Sequence, residues 1–509
     1  LVIVAALLAA LPRCAPARRL QSDDPHREGE PDDEAWHSDV APPPSLLVGY
    51  CHAGGLEQLV DLGALDELVR LARWCPDGHL VVVHALLRLG VNHSVPETRA
   101  RAVAVISSEV PELIASTADV VEECTAALSL ALRRDTSVDV RLAAAGALAD
   151  LGATSLGLGE RALAARSVYE LTQATANSMP RVRVRVARLF GRLAILARGD
   201  DVHLAVECAA ALEHMLWDDR KRIVRREVVD TLGKVVKATL QAEGVIAAQC
   251  AATLREGGLK NSMPRVRARA ARLLGEIAAL ATGEHIFLAI ECVNSLIEPG
   301  LQHRKQVVQR RTVEALGLIA RSTINEPMGL AQRCVLTIAQ EGLESRGWKL
   351  RRLIARVLAG VALAAHRAGS GLGVETAMWL SQSLGDRHVA VRRAAANALA
   401  ALAVATLGDP GGLPELCLAE LFEKGAVSPN WETRASVAEA LAALAHGARG
   451  AHGHVATQSA AVLGGLVVED AHAAVRLAAA KSLAVLALAS WGDREELLAS
   501  CGAVLRERA

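Results

Sequence analysis

The feature that most constrains this chain is a stretch of 18 residues that occurs twice, 84 positions apart. Asn177 to Ala194 reads NSMPRVRVRVARLFGRLA, and Asn261 to Ala278 reads NSMPRVRARAARLLGEIA. The match continues at the same offset, with LAVEC at 204–208 and LAIEC at 288–292. Self-similarity at a fixed period is the sequence signature of repeat architectures. The repeat therefore decides the fold class before any other property of the chain is considered.

The 84-residue period divides into two units of 42 residues, each marked by an arginine. Positions spaced by 42 residues in both directions from Arg183 carry arginine, except that one carries Gln309. One spacing, between Arg351 and Arg392, is shorter by one residue, and the last three units continue from there. Every unit has an apolar residue seven positions after this point and a small residue next to it, which allows a neighbouring helix to approach closely. Spacings of four, seven, eight and eleven lie on one face of an α-helix. The pattern predicts ten helices, whose marker arginines are Arg99, Arg141, Arg183, Arg225, Arg267, Arg351, Arg392, Arg434 and Arg476.

Aspartate or proline marks the start of most of these helices. We interpret the aspartates, six positions before the marker, as N-caps that accept hydrogen bonds from free N–H groups of the first turn. Proline is tolerated at the first position of a helix. The aspartates are Asp135, Asp219, Asp386 and Asp470, with His303 interrupting the series, and the prolines are Pro96, Pro180 and Pro264. A second apolar helix precedes each start, so each unit is predicted to be a helical hairpin that buries its apolar face by stacking on its neighbours.

This pattern of two helices, Asp in the turn and Val-Arg opening the second helix resembles HEAT repeats. The resemblance covers roughly residues 76–494 and implies an all-α protein, a right-handed α-solenoid of about ten 42-residue hairpins whose second helices line the concave surface. Armadillo repeats are the nearest relative at this period. Some HEAT-like proteins are enzymes: deoxyhypusine hydroxylase carries iron on His-Glu dipeptides, and this chain has none. A HEAT-like lyase or hydroxylase remains an alternative.

The remaining segments differ in composition from the repeats. Residues 1–45 comprise an apolar stretch and an acidic, proline-containing linker, 46–75 predict an atypical capping helix, and 495–509 predict a partial repeat or a C-terminal cap. Three interpretations of the apolar stretch stay open: a helix of a longer protein, a secretory signal, or a disordered segment. Eleven residues are too few to span a bilayer, and we expect no membrane span elsewhere.

Seven of the ten cysteines occupy one repeat position on the first helix, where Thr376 and Ser459 also occur. This position requires a small side chain rather than a thiolate, because free cysteine is commonly buried as a small apolar residue. Equivalent positions in adjacent units would lie about 10 Å apart, which is too far for disulfides. Unpaired cysteines favour a reducing compartment, and we expect a cytoplasmic location, with secretion the alternative. The seven are Cys124, Cys208, Cys250, Cys292, Cys334, Cys417 and Cys501.

The sequence contains no motif that indicates catalysis. It lacks a Cys-x-x-Cys pair, a phosphate-binding loop and a nucleophile motif, so we expect no enzyme activity, no cofactor and no metal. His452 and His454, in a glycine-rich loop, are the one alternative metal site. Arginine and lysine together number 56, as do aspartate and glutamate, so net charge identifies no partner.

Surplus arginines on the second helices are the only feature that points to a partner. We predict that the marker arginines are structural and pair with turn aspartates or carbonyl groups of adjacent units, whereas the surplus arginines bind a protein or an acidic peptide. Acidic residues such as Glu227 and Asp230 interrupt this face, so a solvated mixed surface stays an alternative, as does nucleic acid, which favours a continuous positive track. The surplus arginines are Arg185, Arg188, Arg192, Arg269, Arg272, Arg311 and Arg356.

The predicted function is therefore a non-catalytic scaffold that binds a protein or acidic peptide along its concave face. Arg185, Arg188 and Arg192 project together from one helix, and Arg269 and Arg272 repeat the arrangement two units later. Helices of adjacent units pack about 8–10 Å apart, so the two clusters would be about 20 Å apart. We expect an acidic segment with two charged clusters at that separation to bind here.

Overall fold

The computed structural model describes Leu65 and residues 78–114, 117–409, 412–448, 453–489 and 495–508. The predicted N-terminal segment 1–45, the predicted capping helix within 46–75 apart from Leu65, and His452 lie outside the described residues. The chain divides into two compact units, Leu1–Ala211 and Leu212–Ala509, and the division falls within a helix.

The first unit contains six α-helices and the beginning of a seventh within its described residues. They are α1 (Gly78–Ala85), α2 (Pro96–Leu113), α3 (Ala118–Arg134), α4 (Val138–Leu158), α5 (Arg161–Gln173), α6 (Pro180–Leu196) and α7 (Val202–Asp218). The even-numbered helices are the second helices of the repeats, and α2, α4 and α6 pack side by side as one layer.

The second unit continues the alternation. Its helices are α8 (Arg222–Thr239), α9 (Gly244–Thr253), α10 (Pro264–Leu280), α11 (Ile286–Leu296), α12 (Gln306–Ser322), α13 (Leu330–Leu343), α14 (Trp348–Arg367), α15 (Leu372–Gln382), α16 (Val389–Thr406), α17 (Leu413–Ala419), α18 (Trp431–Gly447), α19 (Gly453–Glu469), α20 (Ala473–Ala489) and α21 (Glu495–Arg508). Here too the second helices, α8 to α20, form a continuous layer of neighbours. No β-strand occurs in the described parts of the chain.

All ten second helices share one register. The marker position is the fourth residue of each helix, from Arg99 in α2 to Arg476 in α20. The apolar residue seven positions later is at most 1 % exposed in every helix, so the predicted buried face is confirmed. These residues are Ile106, Leu148, Phe190, Leu232, Leu274, Leu316, Leu358, Leu399, Leu441 and Leu483.

The helix starts confirm the proline prediction and correct the aspartate prediction. Pro96, Pro180 and Pro264 are the first residues of α2, α6 and α10. Asp135, by contrast, lies two residues before the N-cap, which is Ser137 in extended conformation, and its carboxylate accepts a hydrogen bond from the Ser137 N–H at 2.7 Å. The expected N-cap role is therefore wrong, because the extended N-cap residue separates the carboxylate from the free amides of the first turn.

Turn residues of other types make the same local contact. Asn177, His303 and Ser345 each accept from the backbone N–H two positions later. What the turn requires is a short side chain with an acceptor atom, and aspartate, asparagine, serine and histidine all supply one.

The small residue next to the buried apolar position brings second helices into close contact. A Cβ placed on Gly275 of α10 would lie 2.5 Å from the Cβ and 2.7 Å from the Cα of Ala315 in α12. Any side chain at Gly275 would therefore meet the backbone of the next helix, which explains why the position is small.

The repeated cysteine position is buried. All seven cysteines of the series are free and buried, and Thr376 and Ser459, which replace cysteine, are both 0 % exposed and donate to backbone carbonyls one turn earlier. Burial raises the pKa of the Cys250, Cys292 and Cys334 thiols to about 12. The prediction of a small buried side chain is therefore confirmed.

Among the residues that the structure describes, one helix is long and apolar enough to cross a membrane by length and composition. This is α16, Val389–Thr406, with a mean hydropathy of 1.3 and 56 % of its residues buried. It lies within the second unit, packed between α14 and α18, and carries the buried Arg392. Its apolar character is explained by its place in the helix layer.

Candidate functional site

The marker arginines link successive turns through side-chain hydrogen bonds. In three repeats the guanidinium donates two parallel hydrogen bonds to the aspartate carboxylate of the next turn. Arg351 donates from Nε to Asp386 Oδ2 at 2.6 Å and from Nη2 to Asp386 Oδ1 at 2.9 Å. Arg99 with Asp135, and Arg434 with Asp470, repeat this geometry at 2.6–3.0 Å. This bidentate geometry suits the planar guanidinium fork and would not be reproduced by lysine.

The same arginines also hold their own turns. Arg351 Nη1 donates to the Ser345 carbonyl at 2.6 Å, and Arg392 and Arg476 make the equivalent contact with the Asp386 and Asp470 carbonyls at 2.6 and 2.8 Å. Each marker arginine therefore satisfies turn carbonyls that would otherwise lack partners inside the fold.

Where the next turn lacks aspartate, the arginine finds another acceptor or none. Arg141 donates to Asn177 Oδ1 at 3.1 Å, and Arg392, 1 % exposed, pairs with Glu432. Arg267 faces His303, whose imidazole has its pKa lowered below 6.5, chiefly by burial and then by the charge of Arg267. The imidazole Nδ1 accepts a hydrogen bond from the Lys305 N–H.

The turn carboxylates are held in their ionised form. Burial opposes ionisation of Asp386, but hydrogen bonds from Arg351 and the His388 N–H outweigh it, so the Asp386 pKa lies below its usual 3.8. For Asp470 the hydrogen bond from Arg434 is the largest influence and lowers the pKa. These charges are already paired within the fold.

In the first unit, the surplus arginines Arg185, Arg188 and Arg192 are exposed on α6. Arg192 Nη1 contacts Asp150 Oδ1 of α4 at 2.5 Å, and both side chains are about half exposed. A partner carboxylate would have to compete with Asp150 for Arg192.

In the second unit, three surplus arginines have acidic neighbours on the same surface. Arg269 of α10 pairs with Asp230 of α8, and Arg272 pairs with Glu276 one turn further along α10. Arg311 of α12 contacts Glu314 at 2.5 Å. The alternating charge on this face thus has a physical reason, because its arginines pair with acidic side chains of the same helix or, for Arg269, of the neighbouring helix.

Six arginines line one open groove of about 300 Å³ across α8, α10 and α12, which we call the arginine groove. Three of them, Arg269, Arg272 and Arg311, were predicted from the sequence, and Arg222, Arg226 and Arg265 were not. No acidic side chain of the described chain forms an ion pair with these three, and all three are exposed. Arg222 lies three positions before its marker arginine and Arg226 lies one position after it, whereas Arg265 lies two positions before the marker of its own helix. These fixed positions are a signal that the sequence contained.

A second groove of about 350 Å³ lies between α14 and α16. Arg356, a predicted partner residue, lines it together with Arg352, Arg393 and Asn397. Arg393 is already paired with Glu439 at 2.9 Å. Several surface arginines of the second unit thus line these two grooves.

No group of three or more histidine, cysteine or acidic side chains with metal-binding geometry occurs among the residues that the structure describes. His454 lies near the start of α19, and His452 is outside the described residues. The alternative metal site at these two histidines therefore stays untested.

Comparison with known proteins relates this chain to others through its fold. No family model and no curated protein sequence matches it. Among solved structures, Kap121p bound to Ste12p has a TM-score of 0.57 at 13 % identity, covering 89 % of this chain and 48 % of that one. The karyopherin Kap121p bound to the extreme C-terminus of the protein phosphatase Cdc14p has a TM-score of 0.52 at 13 % identity, covering 91 % and 49 %.

The chain thus spans about half the length of these karyopherin structures. At this level of identity the similarity establishes the fold, and karyopherins are HEAT-repeat solenoids. Together with the shared register of the ten second helices, it shows that this chain has the fold of a HEAT-repeat α-solenoid.

Proposed function

We propose that this chain is a non-catalytic HEAT-type scaffold that binds a protein or peptide of acidic character along its layer of second helices. The observation that carries the proposal is the arginine groove, in which three exposed arginines without acidic partners lie beside three that are paired. An acidic segment supplies the missing counter-charges. We extend the proposal to a cytoplasmic location, since the seven buried cysteines are free thiols.

The energetics favour a segment with several contacts. An exposed ion pair contributes about 0–1 kcal/mol, so a single carboxylate would bind weakly. Arginine pairs with carboxylates in bidentate fashion, which adds directional preference. An extended segment that crosses α8, α10 and α12 could meet arginines from all three helices and add their contributions.

The similar structures support a protein partner. In these structures Kap121p is bound to Ste12p, to the C-terminus of Cdc14p and to the SUMO protease Ulp1p. A helical solenoid of this type is therefore able to bind protein segments, and we transfer only that general property.

The test is affinity capture with the full chain, followed by mass spectrometry and a binding measurement with the purified partner. Replacing Arg185, Arg188, Arg269 and Arg272 with serine is expected to weaken binding at least about tenfold, or about 1.4 kcal/mol. This variant removes the partner of Asp230, whose side chain is only 16 % exposed, so helicity must be compared with the parent.

A cleaner variant replaces Arg222, Arg226 and Arg265, which have no acidic partner to leave behind. The matched control replaces Arg134, Arg310 and Arg333, exposed arginines that line neither groove, and changes the net charge equally. Equal partner binding by the parent and both arginine-groove variants would refute the proposal. Two observations together would favour the nucleic-acid alternative. RNA or DNA would be the captured species, and the logarithm of its binding constant would fall with the logarithm of salt concentration as steeply as in phosphate-backbone binding.

A further inference from the structure

The chemistry of the arginine groove indicates what kind of acidic group it accepts. We propose that Arg222, Arg226 and Arg265, which we call the arginine triad, bind the phosphoryl group of a phosphorylated serine or threonine in the partner segment. This inference rests on the proposed function and adds the chemical class of the ligand.

The arginine triad comes from the first two turns of α8 and the first turn of α10. Arg222 and Arg226 are four residues apart on α8 and so project from one face. Arg265 is the second residue of α10, which packs against α8, and it lines the same groove. Arg222 and Arg265 lie at helix N-termini, where the helix dipole adds partial positive charge. The positive potential is therefore concentrated at one end of the groove.

A count of charges separates the arginine triad from the rest of the groove. Arg269, Arg272 and Arg311 each have a carboxylate of the same chain as a partner. The Arg269–Asp230 and Arg311–Glu314 pairs are roughly neutral, and Arg272 shares Glu276 with Lys237. The arginine triad has no such partner and presents three uncompensated positive charges.

A phosphoryl group matches this arrangement better than a carboxylate does. A carboxylate carries one negative charge and two oxygens, so it satisfies one guanidinium fork. A phosphorylated serine carries a charge of about −1.5 to −2 at neutral pH and three strong acceptor oxygens. It can accept from two or three guanidinium groups at once, which suits three arginines that line one groove without acidic partners.

The rest of the lining favours a peptide over a nucleic acid. The remaining residues are Val266, Ala268 and Val307, which are small and aliphatic. Binding of single-stranded nucleic acid without sequence preference relies on aromatic side chains on which bases stack, and no aromatic residue lines this groove. An aliphatic floor suits the side chains that flank a phosphorylated residue in an extended segment.

The test uses the full chain and three pools of short, fluorescently labelled degenerate peptides that differ only at the central residue. That residue is phosphoserine, glutamate or serine, and binding is followed by fluorescence anisotropy at fixed salt. We expect the phosphoserine pool to bind at least about tenfold more tightly than the glutamate pool. The variant Arg222→Ser, Arg226→Ser, Arg265→Ser should remove this difference, and the control Arg134→Ser, Arg310→Ser, Arg333→Ser should keep it.

The outcomes are distinct. Equal binding of the phosphoserine and glutamate pools would overturn the phosphate inference and leave the proposed acidic-peptide function standing. Failure of the parent chain to bind any pool, with partner capture unaffected by the arginine-triad variant and by the variant in which Arg185, Arg188, Arg269 and Arg272 are serine, would overturn both. Tighter binding of an oligouridine probe than of the phosphoserine pool, lost in the same variant, would assign the groove to nucleic acid. Inorganic phosphate that competes as well as the phosphopeptide would show that the groove binds the free ion rather than a peptide.

Discussion

The close contact between α10 and α12 permits a quantitative test of the helix layer. We consider Gly275→Ala, the smallest possible change. In an exposed helix the substitution stabilises by about 1 kcal/mol, because alanine has the higher helix propensity. In this structure the new Cβ would lie 2.7 Å from the Cα of Ala315, whereas carbon atoms in contact are about 3.5–4.0 Å apart.

The clash is with backbone, so no side-chain rotation can relieve it. The two helices must separate by about 1 Å, and a gap of that size forfeits up to half of each contact's attraction. Overpacking costs about 1–3 kcal/mol, and contact with backbone places Gly275 at the upper end. After the gain in helix propensity, we expect a net destabilisation of about 2 kcal/mol.

Native-state hydrogen exchange suits a repeat protein, because each repeat contacts only its neighbours and stability is a local property. Peptides from α10 and α12 should lose protection by roughly 30-fold, the factor that corresponds to about 2 kcal/mol. Peptides from α18 and α19 should be unchanged.

Gly465→Ala in α19 is the matched control, because a Cβ there would meet no atom within 4 Å. Gly465→Ala should gain the helix propensity of alanine and modestly raise the protection of α19 against hydrogen exchange. If Gly275→Ala also raised protection in α10 and α12, the close contact of these helices would be wrong.

Two further predictions concern the buried cysteines and the aspartates of the turns. The thiols of Cys250, Cys292 and Cys334 should resist a thiol reagent at pH 8 in the native protein and react after unfolding, because burial raises their pKa to about 12. Rapid labelling of all three thiols in the native protein would contradict their burial. Asp386→Asn should destabilise by about 3 kcal/mol at pH 7, because it leaves Arg351, 3 % exposed, without its counter-charge. A depressed carboxyl pKa stabilises the fold above about pH 4 and this stabilisation is lost as pH falls further, so the variant should lose less stability on acidification than the parent does. Glu314→Gln, which breaks the exposed pair with Arg311, should cost at most about 1 kcal/mol in the same denaturation assay, and an equal effect of both substitutions would refute the distinction between them.

The aspartate of the turn combines two roles that the sequence pattern alone did not separate. Asp470 accepts from the His472 N–H two positions later, which shapes its own turn. The same carboxylate accepts two hydrogen bonds from Arg434 of the preceding repeat. One side chain therefore fixes the local turn and joins two repeats, so its loss should affect both.

The pairing of the surplus arginines changes how the partner surface is understood. Arg269 and Arg272 were predicted as partner residues because they repeat Arg185 and Arg188, yet both have acidic partners within the fold. Their role in partner binding stays a prediction. A partner's carboxylate gains less from a paired arginine than from an unpaired one, since it must displace an existing acceptor.

The sequence by itself determined the period, the ten second helices and their buried face. It could do so because burial of a helix in a repeat array depends on positions three, four and seven apart, which lie close together along one chain segment. Leu274 and Cys292 were assigned to the core for this reason, and both are 0 % exposed. The first positions of α6 and α10 were likewise readable from Pro180 and Pro264, because proline acts locally.

Only the tertiary structure decided which charges remain available. Arg192 meets Asp150, and Arg269 meets Asp230, across 42 and 39 residues of chain, so their pairing depends on the orientation of neighbouring helices and on the conformations of long side chains. The positions of Arg222 and Arg265 relative to their marker arginines are visible in the sequence, yet only the packing of adjacent helices shows that both line one groove. Helical periodicity is a local property, whereas the net charge of a surface is set by contacts between segments far apart in sequence.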